Sequence, residues 1–169
     1  VLPVGAKGAV IAGSVQNGTT ARPVGGQTVT LHIFTDMVEQ GPMTAVTGLD
    51  GAFEFGAPRP TAKFPIIRTR SHQVSYASDL IRLQADRPQM DIALQVYDTT
   101  RDPGVIQIER SHLIVDFGPR ELRVAELYVM SNLGTRTFVG DQSGRTLQFL
   151  LPGGATDVQM DEEPSEARF

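Results

Sequence analysis

Three histidines, His32, His72 and His112, are the side chains of this sequence best suited to binding a metal or moving a proton near neutral pH. Soft thioether donors, which copper favours, are present at Met37, Met43 and Met90. No H-x-H or H-x-x-x-H pair occurs, so only folding could bring three ligands together. Two interpretations follow: a periplasmic metal- or small-ligand-binding protein, or solvated surface histidines that bind nothing.

Nucleophilic catalysis has little support in the sequence. Ser111 and His112 are adjacent, but neighbouring residues of a strand point to opposite faces, so adjacency alone cannot pair them. No G-x-S-x-G motif occurs. The chain contains no cysteine, which excludes thiolate catalysis, disulfides and zinc–thiolate sites. We therefore predict that the protein is not an enzyme and binds no cofactor.

Oxygen-bearing side chains in turns offer a third kind of site. Asp50, Asp98, Asp102 and Asp116 are candidate calcium ligands, but no D-x-[DN]-x-[DN]-G loop is present and aspartates commonly cap turns. Asn17 begins an N-G-T sequence that matches the N-glycosylation acceptor, and the alternative is a plain Asn-Gly turn.

Charge and hydrophobicity narrow the classes of partner. The 15 basic and 19 acidic residues leave no basic surface of the kind that nucleic acid requires. With 40% hydrophobic residues over 169 positions, the chain can bury a real core. No stretch reaches the roughly 20 apolar residues of a membrane span. The sequence starts at Val1 rather than Met, which leaves two alternatives open: an export signal has been removed, or further residues precede Val1.

The elements that must position these residues are strands. Val29, Leu31 and Ile33 alternate with polar residues, as in a half-buried antiparallel strand. Asp50-Gly51 between 44–47 and 52–55 predicts a hairpin. Further strands are predicted at 9–15, 66–69, 73–76, 80–83 and 90–96. The sequence thus predicts an all-β fold with almost no helix, its first domain, residues 1–97, being a β-sandwich.

A second β module is predicted over residues 98–169, after the polar, turn-rich stretch YDTTRDPG. Its predicted strands are 105–117, 122–131, 137–139 and 146–151. These are few for a complete sandwich, so we expect a partner strand, or sequence beyond Phe169, to finish its sheet.

The first domain resembles the carboxypeptidase-regulatory-like, transthyretin-like β-sandwich family. The likeness lies in GAVIAGSVQNGTTARPVGGQTVTLHIF and then in TAVTGLDGAFEF. The second module, with VYDTTRDPGVIQIERSHLIVDF and SNLGTRTFVG, resembles an Ig-like partner module of exported bacterial proteins. This resemblance implies a non-catalytic part of a cell-surface or envelope assembly, whose precursor carries a signal peptide and allows a membrane anchor outside the given chain. The hydrolase branch of the transthyretin-like proteins ends near Tyr-Arg-Gly-Ser, which this chain lacks.

Partner binding is the role that we predict from these observations. The mechanism is association with another protein, or self-assembly, through strand edges. Aromatic side chains that could anchor a partner are Phe34, Tyr76, Tyr97, Tyr128 and Phe138. We expect an extracytoplasmic location, in the periplasm, at the cell surface or outside the cell.

Overall fold

The computed structural model describes residues 10–35, 38–56, 64–79, 81 and 89–160, which fold as an all-β protein. The strands are β1 Val10–Asn17, β2 Arg22–Pro23, β3 Thr28–Thr35, β4 Val38–Val46, β5 Ala52–Phe55, β6 Phe64–Ser71, β7 Val74–Ala77, β8 Gln89–Val96, β9 Thr99–Thr100, β10 Ile106–Phe117, β11 Leu122–Asn132 and β12 Thr137–Phe138. One 3₁₀ turn, Pro103–Val105, is the helical element of these described residues. The chain separates into two compact units at Tyr97 and Asp98, and residues 154–160 group with the first.

The first unit contains two four-stranded sheets. In one sheet β1 is central: β8 pairs along one edge in parallel, and β5 and β2 pair antiparallel along the other. The second sheet is antiparallel throughout, in the order β4-β3-β6-β7. Since inward side chains of both sheets join one core, this unit is a β-sandwich.

The core follows from alternation along the strands. On β3, Val29 and Leu31 are fully buried, as their spacing predicts, while His32 and Phe34 on the other face are half-buried. The buried apolar residues are Ile11, Val15, Val29, Leu31, Ile33, Phe53, Phe55, Ile67, Tyr76, Ile81, Leu94 and Val96. A buried hydroxyl at Thr47 is satisfied, because it donates to the Val24 carbonyl at 2.7 Å and accepts from the Gln27 amide at 2.9 Å.

Gly13 of β1 is required by close approach within this core. A Cβ atom at this position would lie 2.2 Å from the Ile92 carbonyl oxygen and 2.6 Å from the Phe53 ring. The glycine in the apolar run of β1 therefore marks the place where β8 and the Phe53 ring crowd the strand.

Two turns of the first unit connect their strands in different ways. The hairpin predicted around Asp50-Gly51 is wrong, because β4 pairs with β3 whereas β5 pairs with β1 in the other sheet. Gly51 does adopt a positive φ of +77°. The prediction of a turn at this glycine was therefore right, and the prediction of which strands the turn joins was wrong. The turn at His72 and Gln73, between β6 and β7, is a true two-residue hairpin turn.

The second unit, Asp98–Gly153, is dominated by the long hairpin of β10 and β11. Its other sheet is the short parallel pair of β9 and β12. Residues 146–151, predicted as a strand, are irregular instead. The predicted strand 80–83 lies outside the described residues apart from Ile81. Within residues 98–153, all of which are described, only Gly140 is buried.

Candidate interaction surface

The hairpin of β10 and β11 has one strongly apolar face. Residues that pair directly across an antiparallel ladder share a face, and the pairs Phe117–Leu122, Val115–Val124 and Ile108–Met130 all lie on it. The remaining pairs of this face are Leu113–Glu126, Ser111–Tyr128 and Ile106–Asn132. Glu126 is therefore the one charged residue among these twelve.

A β-bulge gathers these apolar side chains on one face. The register shifts between Ile108 and Arg110, so Glu109 is an extra residue on β10. Without it, strict alternation would place Ile106 and Ile108 on the face opposite Leu113 and Val115. The bulge thus shifts the alternation of side chains along β10 by one residue, so that apolar residues from both halves of the strand lie on the same face.

The opposite face of the hairpin is mixed. It pairs Asp116 with Arg123 and His112 with Leu127, so charged and apolar residues are interleaved. Ser111 and His112 lie on opposite faces, as strand geometry predicted, and cannot act as a nucleophile and its base through adjacency.

The chain itself covers one end of the apolar face, the end that contains Ile106 and Met130, which we call the base. Residues 146–150 lie against it, and the Phe149 ring centroid is 5.0 Å from that of Tyr128. Between them is an open groove of about 540 Å³, whose lining includes Ile106, Met130 and Phe138. Two aromatic residues singled out from the sequence, Tyr128 and Phe138, are thus half-buried within the second unit.

Glu126 and Tyr128 form the polar feature of this groove. The Tyr128 hydroxyl donates to a Glu126 carboxylate oxygen at 2.5 Å. This hydrogen bond to the carboxylate raises the pKa of Tyr128 above its ordinary value. Glu126 is exposed and Tyr128 is half-buried, so the pair offers one negative charge at the middle of a mainly apolar face.

The far half of the apolar face is open to solvent. We call Leu113, Val115, Phe117, Leu122 and Val124 the distal patch. Their exposed fractions are 65%, 39%, 78%, 61% and 49% respectively. Contiguous exposed apolar patches on protein surfaces are often functional. The sequence prediction missed these five residues, although their alternation on both sides of the Gly118-Pro119 turn was the available signal.

The remaining aromatic candidates lie in the first unit. Tyr76 is a core residue with 4% exposure, and its hydroxyl donates to the Tyr97 carbonyl at 3.2 Å. Tyr97 is half-buried, and its hydroxyl donates to Gln95 at 2.6 Å. Phe34 is half-buried on β3. Packing within the sandwich therefore accounts for Tyr76, which is not available to a partner.

The three histidines have separate surroundings. His32 contacts Glu39 at 2.5 Å on the first unit, His72 occupies the β6–β7 turn beside Ser71, and His112 is exposed on the hairpin. Across the described parts of the chain, no three histidine, aspartate or glutamate side chains are placed to hold a metal ion.

Of the oxygen-bearing candidates, Asp50, Asp102 and Asn17 act in turns. Asp50 accepts from the Ala52 amide at 3.1 Å and Asp102 from the Gly104 amide at 2.9 Å, as turn-capping aspartates do. Asp98 lies 3.9 Å from Arg136, and Asp116 is on the hairpin. Asn17 accepts from the Thr19 and Thr20 amides at 2.8 and 3.1 Å, which makes its loop an Asx turn.

The fold and this surface define the class: an all-β protein with a β-sandwich unit and a second unit that carries an exposed apolar hairpin. No protein-family model and no curated protein matches the chain. No helix in the described ranges is long and apolar enough to cross a membrane.

Two solved structures show limited similarity to this chain. One is a 9R-lipoxygenase from Cyanothece PCC8801, with a TM-score of 0.37, 13% identity, and 54% of this chain and 16% of that chain covered. The other, from Bacteroides uniformis ATCC 8492, is described as carbohydrate-binding, with a TM-score of 0.37, 11% identity, and 75% of this chain and 54% of that chain covered. This chain thus spans only part of either structure.

Proposed function

We propose that this protein is a non-catalytic interaction protein of the bacterial cell envelope or surface, an accessory part of an extracytoplasmic assembly. The observation that carries the interaction role is the distal patch, whose five apolar side chains are between 39% and 78% exposed. The envelope location rests on the resemblance of residues 8–96 to carboxypeptidase-regulatory-like modules, a family assignment that is part of the proposal.

The proposed mechanism is completion of the second unit by another polypeptide. A two-stranded hairpin is marginally stable in water, and it becomes stable when a further layer covers its apolar face. Residues 146–150 supply that layer only at the base. A partner that lies on the distal patch buries the rest of the apolar face. Within this two-stranded sheet the outer edges of β10 and β11 are unpaired, so they can also form backbone hydrogen bonds with such a partner.

The alternative function, periplasmic binding of a metal or small ligand, gains no specific support. It depends on His32, His72 and His112 acting together, and their contacts in the described residues are different and local.

Photo-crosslinking tests the interaction role in the cells that produce the protein. Phe117 is replaced by p-benzoylphenylalanine, which keeps the aromatic ring, and Leu49 in a turn of the first unit, 97% exposed, is the matched control position. We expect a discrete crosslinked polypeptide from Phe117 and none from Leu49. No crosslink from Phe117, or the same products from both positions, would contradict the proposal. Cell fractionation of the same sample tests the envelope location.

A further inference from the structure

We propose that the occupant of the distal patch is a second copy of this chain, packed face to face through Leu113, Val115, Phe117, Leu122 and Val124. This inference rests on the proposed function and names its partner. The structure supports it through the area of the patch, the order of its residues along the hairpin and the position of its charges.

The area suits a small symmetric dimer. With roughly 100 Å² exposed on each of five apolar side chains, one copy contributes about 500 Å² and a pair about 1,000 Å². A specific interface needs about 1,000 Å² in total, and the largest apolar patch of an ordinary monomer is about 300–600 Å². At about 500 Å² the patch lies within the range found on ordinary monomers, and a pair of copies reaches the lower limit for a specific interface, which is the size of a weak or transient dimer.

The patch is arranged in rows that match themselves under two-fold symmetry. Phe117 and Leu122 form the outer row, Val115 and Val124 the middle row, and Leu113 with Glu126 the inner row. A two-fold axis that lies in the interface and crosses the strands at the middle row places Val115 of one molecule against Val115 of the other. It places Val124 against Val124 in the same way. The same axis lays the outer row of one copy on the inner row of the other.

Charge selects this axis over one parallel to the strands. With the perpendicular axis, Glu126 of one copy lies next to the 118–121 turn of the other. That turn carries Arg120 and also Glu121, whose carboxylate is paired with Arg123 of its own chain at 2.8 Å. With a parallel axis, inner row meets inner row, so the two Glu126 carboxylates approach each other. Opposite charges at an interface favour the first arrangement and like charges disfavour the second.

Single-cysteine variants test the dimer directly, because the chain has no cysteine of its own. With a short bismaleimide crosslinker, Val115→Cys and Val124→Cys should each form a covalently linked dimer, since each residue lies opposite its own counterpart across the roughly 10 Å between packed sheets. Leu127→Cys is the matched control: it is 59% exposed on the opposite face and should give no covalently linked dimer with the same crosslinker. Equal crosslinking of all three variants would overturn the proposal.

A charge exchange tests the orientation. Glu126→Arg and Arg120→Glu should each weaken the dimer about tenfold in light scattering over a dilution series, and the double variant should recover most of that loss. Glu109→Arg, on the bulge of β10, is the control for a change of net charge and should leave the dimer unaffected. Failure of the double variant to recover would overturn the perpendicular axis.

The two proposals fail in different ways. A purified wild-type chain that stays monomeric at every concentration overturns the dimer. If Phe117 then crosslinks to a different polypeptide in cells, partner binding stands and only the identity of the partner is wrong. If Phe117 crosslinks to nothing, both proposals fall.

Discussion

At the scale of single residues, two positions of the structure are sensitive to small changes: the addition of a Cβ atom at Gly13 and the loss of the carboxylate charge at Asp141. Gly13 leaves no space for a methyl group between β8 and the Phe53 ring. Asp141, in the second unit, organises a loop through hydrogen bonds to the Ser143 amide and hydroxyl and to the Arg145 amide. Two predictions follow from these contacts.

Gly13→Ala is expected to lower the free energy of unfolding by about 3 kcal/mol or more, because the added Cβ atom would lie 2.2 Å from the Ile92 carbonyl oxygen. Gly41→Ala is the matched control, since Gly41 also lies in a strand and a Cβ atom there meets nothing within 4 Å. Urea denaturation measures both variants. Equal stability of the two variants would show that β8 can move away.

Asp141 gives a pH-dependent prediction. Hydrogen bonds, chiefly from the Ser143 hydroxyl and the Arg145 amide, hold the pKa of this carboxyl well below its usual range. A lowered folded-state pKa means that the ionised form orders the loop above the usual pKa of an aspartate, and the order is lost as pH falls through the lowered value. Asp141→Asn should therefore speed hydrogen exchange at the Ser143 and Arg145 amides at neutral pH. The difference from wild type should shrink in strong acid; a constant difference would refute the role of the charge.

At the scale of elements, the sequence predicted strands well and their connections less well. Alternation in 27–35 placed Val29, Leu31 and Ile33 in the core, and the structure confirms it. The turn at Asp50-Gly51 was read as a hairpin because turn residues specify a local φ and not which sheet the next strand joins. A bulge such as that at Glu109 changes which face later residues occupy, and alternation read along the sequence does not reveal it.

The candidate site was predictable only in part for the same reason. Tyr128 was identified by residue type, and the second module was expected to need a partner strand, or sequence beyond Phe169, to finish its sheet. The distal patch was missed because Leu113, Val115 and Phe117 look like ordinary core positions until the structure shows that nothing within residues 98–153 packs over them. Sequence patterning indicates which face is apolar, and only the arrangement of neighbouring elements shows whether that face is covered.

The β6–β7 turn offers a prediction at this scale. His72 and Gln73 have φ values of +48° and +69°, which is the backbone of a type I′ turn and favours Asn-Gly. The double variant His72→Asn, Gln73→Gly is expected to raise the free energy of unfolding by about 1 kcal/mol, because it relieves two left-handed residues. Gln73→Ala, which keeps the unfavourable φ, should give no gain. Thermal and urea unfolding check both, and a loss in the double variant would contradict the turn assignment.

At the scale of the whole molecule, the two units differ in how much they bury. Every member of the main apolar core lies between Ile11 and Val96, whereas residues 98–153 bury only Gly140 among themselves. The first unit therefore has the means to fold alone, and the second has an apolar face that depends on a covering layer.

Dividing the chain tests this difference. A fragment of residues 1–97 should unfold cooperatively in urea, because it contains the complete main core. A fragment of residues 98–153 should show no cooperative transition at concentrations where it is monomeric. The intact chain at the same dilution is the control. A stable monomeric second fragment would contradict the need for a covering layer.

The parallel pairing of β1 with β8 also determines when the first unit can fold during synthesis. Val10 pairs with Gln89, so one long edge of β1 waits for a strand that leaves the ribosome about 80 residues later. At about 5–20 residues per second, that delay is roughly 4–16 s. Throughout it Ile11 and Val15 lack their β8 neighbours, and the late arrival of Leu94 and Val96 closes the sandwich. One edge of β1 therefore stays uncovered until Val96 emerges, and mutations in β8 should reduce the yield of folded protein in cells more than they reduce the stability of the purified protein.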